Sequence, residues 1–177
     1  IADAMSMLAE FPNAARMLCL EITETVALHD LGNTRRWIEK LRSHGVKVAL
    51  DDFGAGYTSF SYLRDLPADS LKIDGAFVKT INQHPANFAI VQVIIELATN
   101  LGMRTVAEWV EDRQAIETLA GLGAHYVQGW AVAKPQKPEA ILEATSAAWF
   151  IKDEATLETV RGLVDQSRWG KFKDKLF

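Results

Sequence analysis

Short apolar segments alternate with helical patterns five times along this 177-residue chain. The apolar segments lack the period-two alternation of a half-exposed sheet, which is typical of strands buried on both faces. We therefore expect an α/β fold of parallel strands covered by helices. An open doubly wound sheet and a piece of a (β/α)-barrel both satisfy this pattern. The predicted strands are 17–22, 46–50, 70–73, 103–107 and 124–127.

Helical periodicity fills the segments between and after these strands. Asp112 and Gly123 stand where an N-cap and a C-terminal glycine belong, so the helix between them has the clearest ends. Pro67 is expected to end the helix that precedes it. The predicted helices are a pattern from Trp37 to Gly45, then 57–66, 87–101, 112–122, 137–147 and 153–164.

The charge balance and hydropathy argue against two classes of protein. The chain has 19 Lys and Arg against 23 Asp and Glu, a formal net charge of −4. No basic stripe offsets this balance, which argues against a protein that binds nucleic-acid polymers through their phosphates. The apolar stretch 88–98 is interrupted by Gln92 and Glu96. No membrane span is therefore predicted.

Cysteine content and the first residues bear on location. A single cysteine, Cys19, excludes an internal disulfide framework and a Cys-rich zinc site, and it fits a reducing compartment. Because it lies inside a predicted strand, we expect it to be a small core residue. The start has neither an initiator Met nor a signal peptide and resembles a cut edge. We expect a cytoplasmic domain, within a full-length protein that could be tethered to a membrane.

Acidic or amide side chains recur where the predicted strands end. The carboxyl ends of parallel strands share one face, so we expect these side chains to converge on one patch. Several carboxylates repel one another unless divalent cations neutralise them, and all-oxygen ligation suits Mg²⁺, Mn²⁺ or Ca²⁺. Mg²⁺ or Mn²⁺ held in this way usually acts on phosphate esters, often as a pair. The strand-end residues are Glu21, Asp51, Asp52, Asp74, Glu108 and Gln128.

Individual residues of this pattern have competing interpretations. A single acid at a strand end can equally form a turn or cap a helix. The recurrence of acids at the same point of successive β/α units is what favours a site. Lys72, two residues before Asp74, could place an ammonium beside a phosphate or a nucleophilic water. Glu24 and Glu111 each lie three residues beyond a proposed ligand, and we expect them to brace loops.

Five motifs carry a resemblance to a known family. They are Glu21-Ile22-Thr23-Glu24, Asp51-Asp52-Phe53-Gly54-Ala55-Gly56-Tyr57-Thr58-Ser59, Leu71-Lys72-Ile73-Asp74, Ala107-Glu108-Trp109-Val110-Glu111 and Tyr126-Val127-Gln128-Gly129-Trp130. In order and spacing they resemble the EAL-domain phosphodiesterases of bacteria, over about residues 1 to 145. The resemblance implies part of a TIM-like (β/α)8 barrel, with about five parallel β/α units here. It also implies hydrolysis of cyclic di-GMP to linear pGpG with two Mg²⁺ or Mn²⁺ ions, by a protein that typically forms a homodimer.

The resemblance also assigns roles to single residues. Glu21, Asp51 and Glu108 match metal ligands, with Asp51 bridging the two ions and Asp52 a ligand of one of them. Lys72 matches the lysine that orients the hydrolytic water, so the catalytic set is Lys72, Asp51 and Glu108. Gln128 would hold water or substrate, and Asp74 would complete the polar floor. The loop from Phe53 and Gly54 to Ser59 would link the metal site to the dimer interface, with Glu24 as its anchor.

Three departures from the family pattern stand out. The Glu-Ala-Leu signature and an asparagine ligand on the next strand, two expected metal ligands, should precede Glu21 and are not in this sequence. Trp109 replaces the small residue usual between the two glutamates, and could narrow the site or stack on a guanine. Gly75-Ala76 replaces the usual Arg-Ser after Asp74.

Two interpretations of function follow, and a third is weaker. The chain could be the C-terminal portion of a cyclic di-GMP phosphodiesterase, catalytic when the missing strands are supplied. It could instead be an inactive module that binds cyclic di-GMP or a protein partner and signals through a dimer interface. A response-regulator-like open sheet would also use an Asp-Asp strand end, but would need only one.

The expected organisation is an incomplete EAL-like domain over 1–150 and a helical extension over 151–177. We expect an open sheet edge with exposed apolar surface, and an upstream regulatory domain. The basic, aromatic stretch 167–175 could dock on an acidic partner or a membrane surface, while the simpler interpretation is a helix that packs on the barrel and frays.

Overall fold

The computed structural model describes residues 2–54, 56 and 60–165. Within these residues, five parallel strands form one sheet whose spatial order is the chain order. The expected α/β class and the five β/α units are therefore confirmed. The strands are β1 (Cys19–Thr23), β2 (Lys47–Phe53), β3 (Ser70–Ile73), β4 (Arg104–Ala107) and β5 (Tyr126–Val127).

Helices connect and follow the strands. The α-helices are α1 (Ala2–Glu10), α2 (Pro12–Ala15), α3 (Glu24–His29), α4 (Leu31–Ser43), α5 (Gly75–Val78), α6 (Pro85–Asn100), α7 (Arg113–Leu122), α8 (Pro138–Glu143) and α9 (Glu154–Asp165). Shorter 3₁₀ helices span Phe60–Asp65 and Ala147–Phe150. The short helices α1, α2, α3 and α5 were not predicted, because four to nine residues give little periodicity to detect.

The clearest helix ends were predicted correctly. Asp112 caps α7, because its side chain accepts a hydrogen bond from the Ala115 N–H at 2.8 Å. The helix then ends at Gly123, whose φ of +87° is the left-handed conformation that favours glycine. Asp30 caps α4 in the same way and accepts from the Asn33 N–H at 3.0 Å.

Two predicted helices differ from expectation. Within the described part of 57–66, the residues Phe60–Asp65 form a 3₁₀ helix and not an α-helix, and it ends before Pro67. The helix predicted over 137–147 ends at Glu143. Ala144 leaves the helix with a ψ of 133°, ahead of Thr145 and Ser146, which propagate helices poorly.

The chain forms two compact units, and the first comprises 1–74 with 93–106. Its core is built from buried aliphatic residues of the strands and of α6, among them Val48, Leu50, Leu71, Ile73 and Ile94. Leu20, by contrast, is exposed on the end strand β1, and so is Leu18 just before it. The expectation that Cys19 is a core residue was wrong, because it lies on the end strand β1 and is exposed.

The second unit comprises 75–92 with 107–177. Here α9 packs against α7, and the Thr159 hydroxyl donates to Glu117 Oε1 at 3.3 Å. Asp153 begins α9, and hydrogen bonds from the Thr156 hydroxyl and N–H lower the pKa of its carboxyl. The helix predicted over 153–164 is confirmed. The stretch 167–175 lies outside the described residues, and the domain boundary at residue 150 stays a prediction.

None of the helices among the described residues combines the length and the apolar character that crossing a membrane requires.

Candidate functional site

The ends of β1, β2 and β3 bring three charged side chains together. Thr23 lies opposite Asp51 in the parallel register of β1 and β2, so Glu21 and Asp51 face the same side of the sheet. Lys72 comes from the adjacent strand β3 and is 7% exposed. Its Nζ donates to Glu21 Oε2 at 2.8 Å and lies 2.8 Å from Asp51 Oδ1. One buried ammonium therefore links two strand-end carboxylates.

The pairing of β2 with β3 is interrupted where the two aspartates lie. Leu50 pairs with Leu71 and Phe53 with Ile73, so β2 has an extra residue between these pairs. Asp52 takes a φ of +53°, an unusual conformation that aspartate tolerates better than most residues. Neighbouring residues of a regular strand point to opposite faces. At this bulge, carboxylate oxygens of Asp51 and Asp52 instead lie within 4.8 Å of each other.

Asp51 Oδ1 has the character of a metal ligand. It is buried, and among the described residues it accepts no hydrogen bond in spite of its short ion-pair contact with Lys72. The single Lys72 ammonium is shared between Asp51 and Glu21, so it leaves one of their two negative charges uncompensated, which a divalent cation would neutralise. With Asp52 at the same end of β2, the donor set is carboxylate oxygen, which hard divalent cations prefer. These residues fit the divalent metal that the sequence predicts.

A second carboxylate, Glu24, anchors the loop that follows β2. It is buried at the start of α3 and accepts from the Gly54 N–H at 3.2 Å and from the Tyr62 hydroxyl. Burial, and then the hydrogen bond to this carboxylate, raise the pKa of Tyr62. A Cβ at Gly56 would lie 3.3 Å from Glu24 Oε2, so the loop passes close to the carboxylate.

Phe53, the other residue expected to brace the loop, is buried and stacks on Phe60 with ring centroids 5.6 Å apart. The sequence pointed to Glu24 but not to its partner Tyr62, because no local pattern links residues 38 positions apart. Residues 55 and 57–59 of this loop lie outside the described residues. A cleft of about 360 Å³ lies beside the loop and is lined by Thr23, Glu24, Thr25, Asp52, Gly56 and Asp74.

The remaining predicted site residues lie in the second unit, at the ends of β4 and β5. Glu108 follows β4 and is buried. Gln128 follows β5, and its N–H donates to the Ala107 carbonyl at 2.8 Å, while its carbonyl accepts from the Val110 N–H at 3.1 Å. The backbone thus holds these two strand ends side by side.

Two further residues of this unit flank Glu108. Trp109 follows it directly with a φ of +53°, which is strained for a bulky side chain. Glu111 lies 3.6 Å from Lys79 Nζ, and this ammonium also lies 5.8 Å from the centroid of the Trp109 ring. Lys79 was not among the predicted site residues, since an isolated lysine in a helix connection carries no motif.

Comparison with known proteins places this chain in a family. The model of the EAL domain matches residues 2–135. The chain is 41% identical over 126 residues to the cyclic di-GMP phosphodiesterase PdeB of Shewanella oneidensis, covering 71% of this chain and 15% of that protein. It is 40% identical over 119 residues to the cyclic di-GMP phosphodiesterase PdeA of Borreliella burgdorferi, covering 67% and 18%. The chain therefore spans less than a fifth of the length of these curated relatives.

Solved structures give the same result. A complex of the PaMucR phosphodiesterase with c-di-GMP superposes with a TM-score of 0.68 at 37% identity, over 72% of this chain and 51% of that one. The Klebsiella pneumoniae protein BlrP1, solved with calcium and cyclic di-GMP, superposes with a TM-score of 0.68 at 31% identity, over 75% and 34%. A manganese complex of BlrP1 is also similar, with a TM-score of 0.61 at 33% identity, over 66% and 30%. The five strands correspond to part of the TIM barrel of such domains, and the chain belongs to the EAL-domain family.

Proposed function

We propose that this chain contributes to the hydrolysis of cyclic di-GMP to linear pGpG, with two Mg²⁺ or Mn²⁺ ions. Its relatives are named cyclic di-GMP phosphodiesterases, and neighbours were solved with calcium or manganese and this dinucleotide. The observation that carries the proposal is the buried Asp51 Oδ1, which lacks a hydrogen bond among the described residues and lies 2.8 Å from Lys72.

In this proposal the strand-end acids bind the metal. Glu21, Asp51, Asp52 and Glu108 would supply the carboxylate oxygens that hold the ions. The bound ions would neutralise the phosphodiester and lower the pKa of water. We include Glu108 among these ligands because of its sequence motif and because it follows β4, which is the neighbour of β3 in the sheet.

Lys72 and Gln128 act on the water and the substrate. Forming pGpG requires water to attack one phosphorus while the bond from that phosphorus to the 3′ oxygen breaks. Lys72 is held by Glu21 and Asp51 within a buried setting, so its ammonium is fixed rather than mobile and would orient the attacking water. Gln128 would hold water or substrate, and Asp74 would complete the polar floor of the site.

The experiment is a product assay with a matched pair of variants. A longer version of the chain, extended by the strands that the family pattern places before Glu21, is incubated with cyclic di-GMP and Mn²⁺, and the products are separated by chromatography. We expect Asp51→Asn to lower kcat by at least about a hundredfold, the usual scale for loss of a charge-stabilising group. Glu39→Gln removes the same charge from an exposed i,i+4 ion pair on α4 and should retain full activity. Formation of pGpG at equal rates by Asp51→Asn and the parent would refute the proposal.

A second candidate is a module that binds cyclic di-GMP without hydrolysing it. The observation that favours it is the strained, bulky Trp109 directly after the proposed ligand Glu108. Calorimetry in the absence of metal separates the two candidates. Micromolar binding together with no turnover in Mn²⁺ would favour the binding module. The expected homodimer and the cytoplasmic location belong to the same proposal, by family resemblance.

A further inference from the structure

Two departures from the family pattern, Trp109 and Gly75, contact each other. A Cβ built on Gly75 would lie 2.2 Å from Trp109 Cγ and 2.4 Å from Cδ2, far inside van der Waals contact. Gly75 is buried, so no open space would receive a larger side chain. The indole thus occupies the volume that a side chain at position 75 would need. The Trp109 indole and any side chain at position 75 therefore compete for the same volume.

The Trp109 indole is exposed to solvent. Trp109 is 58% exposed, and Trp130, on the segment after β5, is 66% exposed. Both line one cleft of about 900 Å³ together with Gln128. A Cβ at Gly129 would lie 2.2 Å from the Val110 carbonyl oxygen, so these two segments are in direct backbone contact. The volume of the cleft falls in the range of small-molecule sites.

Lysine side chains accompany both indoles. Lys79 Nζ lies 5.8 Å from the Trp109 ring centroid, and Lys134 Nζ lies 5.0 Å from that of Trp130. An exposed indole offers a flat face to a planar ring, and a nearby ammonium attracts an anion. This combination suits a nucleotide, which has both a planar base and a phosphate. Lys79 is paired with Glu111 at 3.6 Å, so Lys134, which lines the cleft, is the ammonium placed to attract a phosphate.

We propose that Trp109 is a substrate-binding residue that stacks on a purine base of the dinucleotide, and that Gly75 is the positioning residue that makes room for its indole. The inference rests on the proposed function and extends it from the phosphodiester to the base. Stacking of a base on an aromatic side chain accounts for roughly five- to hundredfold in affinity. Because this contact does not involve the reacting phosphate, it is equally strong in the ground state and in the transition state. Its loss should raise KM and leave kcat unchanged.

The test compares two replacements of Trp109 with a control tryptophan. Trp109→Leu removes the aromatic face, Trp109→Phe retains one, and Trp149→Phe changes an exposed indole of the 3₁₀ helix Ala147–Phe150. In the same extended protein with cyclic di-GMP and Mn²⁺, we expect Trp109→Leu to raise KM about tenfold with kcat within twofold of the parent. Trp109→Phe should stay within threefold in KM, and Trp149→Phe should match the parent. Cyclic di-GMP should quench tryptophan fluorescence in Trp149→Phe and much less in Trp109→Leu.

The failures can be told apart. A parent that neither binds nor hydrolyses cyclic di-GMP would overturn the proposed function, and this inference with it. A parent that is active, with KM unchanged in Trp109→Leu, would overturn the stacking role alone. The same conclusion would follow if Trp109→Phe were as impaired as Trp109→Leu, since the aromatic face would then not be the property that matters.

Discussion

At the scale of single residues, backbone strain marks the positions beside the proposed ligands. Among the described residues other than glycine, Asp52 and Trp109 have a positive φ. Asp52 is itself a proposed metal ligand and follows Asp51, and Trp109 follows the proposed ligand Glu108. Strained conformations persist where the surrounding structure holds them, and they cluster at functional sites. The sequence indicated both positions as part of the site, but not their conformation.

The overlap between position 75 and the Trp109 indole predicts that Gly75→Ala has opposite effects on stability in the parent and in Trp109→Gly. Gly75→Ala should destabilise the parent by about 1–3 kcal/mol, because its Cβ overlaps the indole. In Trp109→Gly that overlap is gone, so Gly75→Ala should be neutral or stabilise α5 by up to about 1 kcal/mol. Urea unfolding of the four proteins of this double-mutant cycle measures the coupling. Equal effects in the two backgrounds would show that the residues are independent.

At the scale of elements, the predictable features were those encoded locally. Asp112 and Gly123 identified the ends of α7, since capping depends on residues within one turn. The bulge in β2 was not predictable, because it is a property of the pairing of β2 with β3. The contact between Glu24 and Tyr62 was missed for the same reason. Local chemistry sets where elements begin and end, while register and distant pairs depend on the folded chain.

The anchor of the loop after β2 gives a prediction about stability. Both carboxylate oxygens of Glu24 accept hydrogen bonds, one from the Gly54 N–H and the other from the Tyr62 hydroxyl. Glu24→Gln replaces one of these oxygens with an NH₂ group, which donates. The NH₂ group would then face a donor of Gly54 or Tyr62, unless the Tyr62 hydroxyl turns to accept from it. We expect a loss of about 1–3 kcal/mol in the free energy of unfolding, measured with urea. Glu39→Gln is the exposed control and should change it by less than about 0.5 kcal/mol. Equal stability of the two variants would contradict the anchoring role.

At the scale of the whole molecule, the sequence predicted the class of the fold better than it predicted which residues are exposed. Recurring apolar segments were sufficient to predict five parallel strands, and the five sequence motifs were sufficient to identify the family. Burial was harder to predict, as Cys19 shows, because an apolar strand at the end of a sheet exposes residues that a central strand buries. Trp109 stands out in the sequence because the family has a small residue at that position. Its contact with Gly75 could not be predicted, because it depends on the folded chain.

Metal binding should stabilise the whole chain, because the acidic groups at the strand ends repel one another in its absence. A ligand that binds only the folded state adds about 2.7 kcal/mol at a hundred times its Kd. For a chain of this size, that corresponds to a rise of about 5–10 °C in Tm. We expect saturating Mn²⁺ to produce such a rise in the parent and in Glu39→Gln, measured by scanning calorimetry against metal-free samples. In Asp51→Asn the rise should fall below about 2 °C, because the buried oxygen that lacks a hydrogen bond is then an uncharged amide group. An equal rise in Asp51→Asn would place the metal elsewhere.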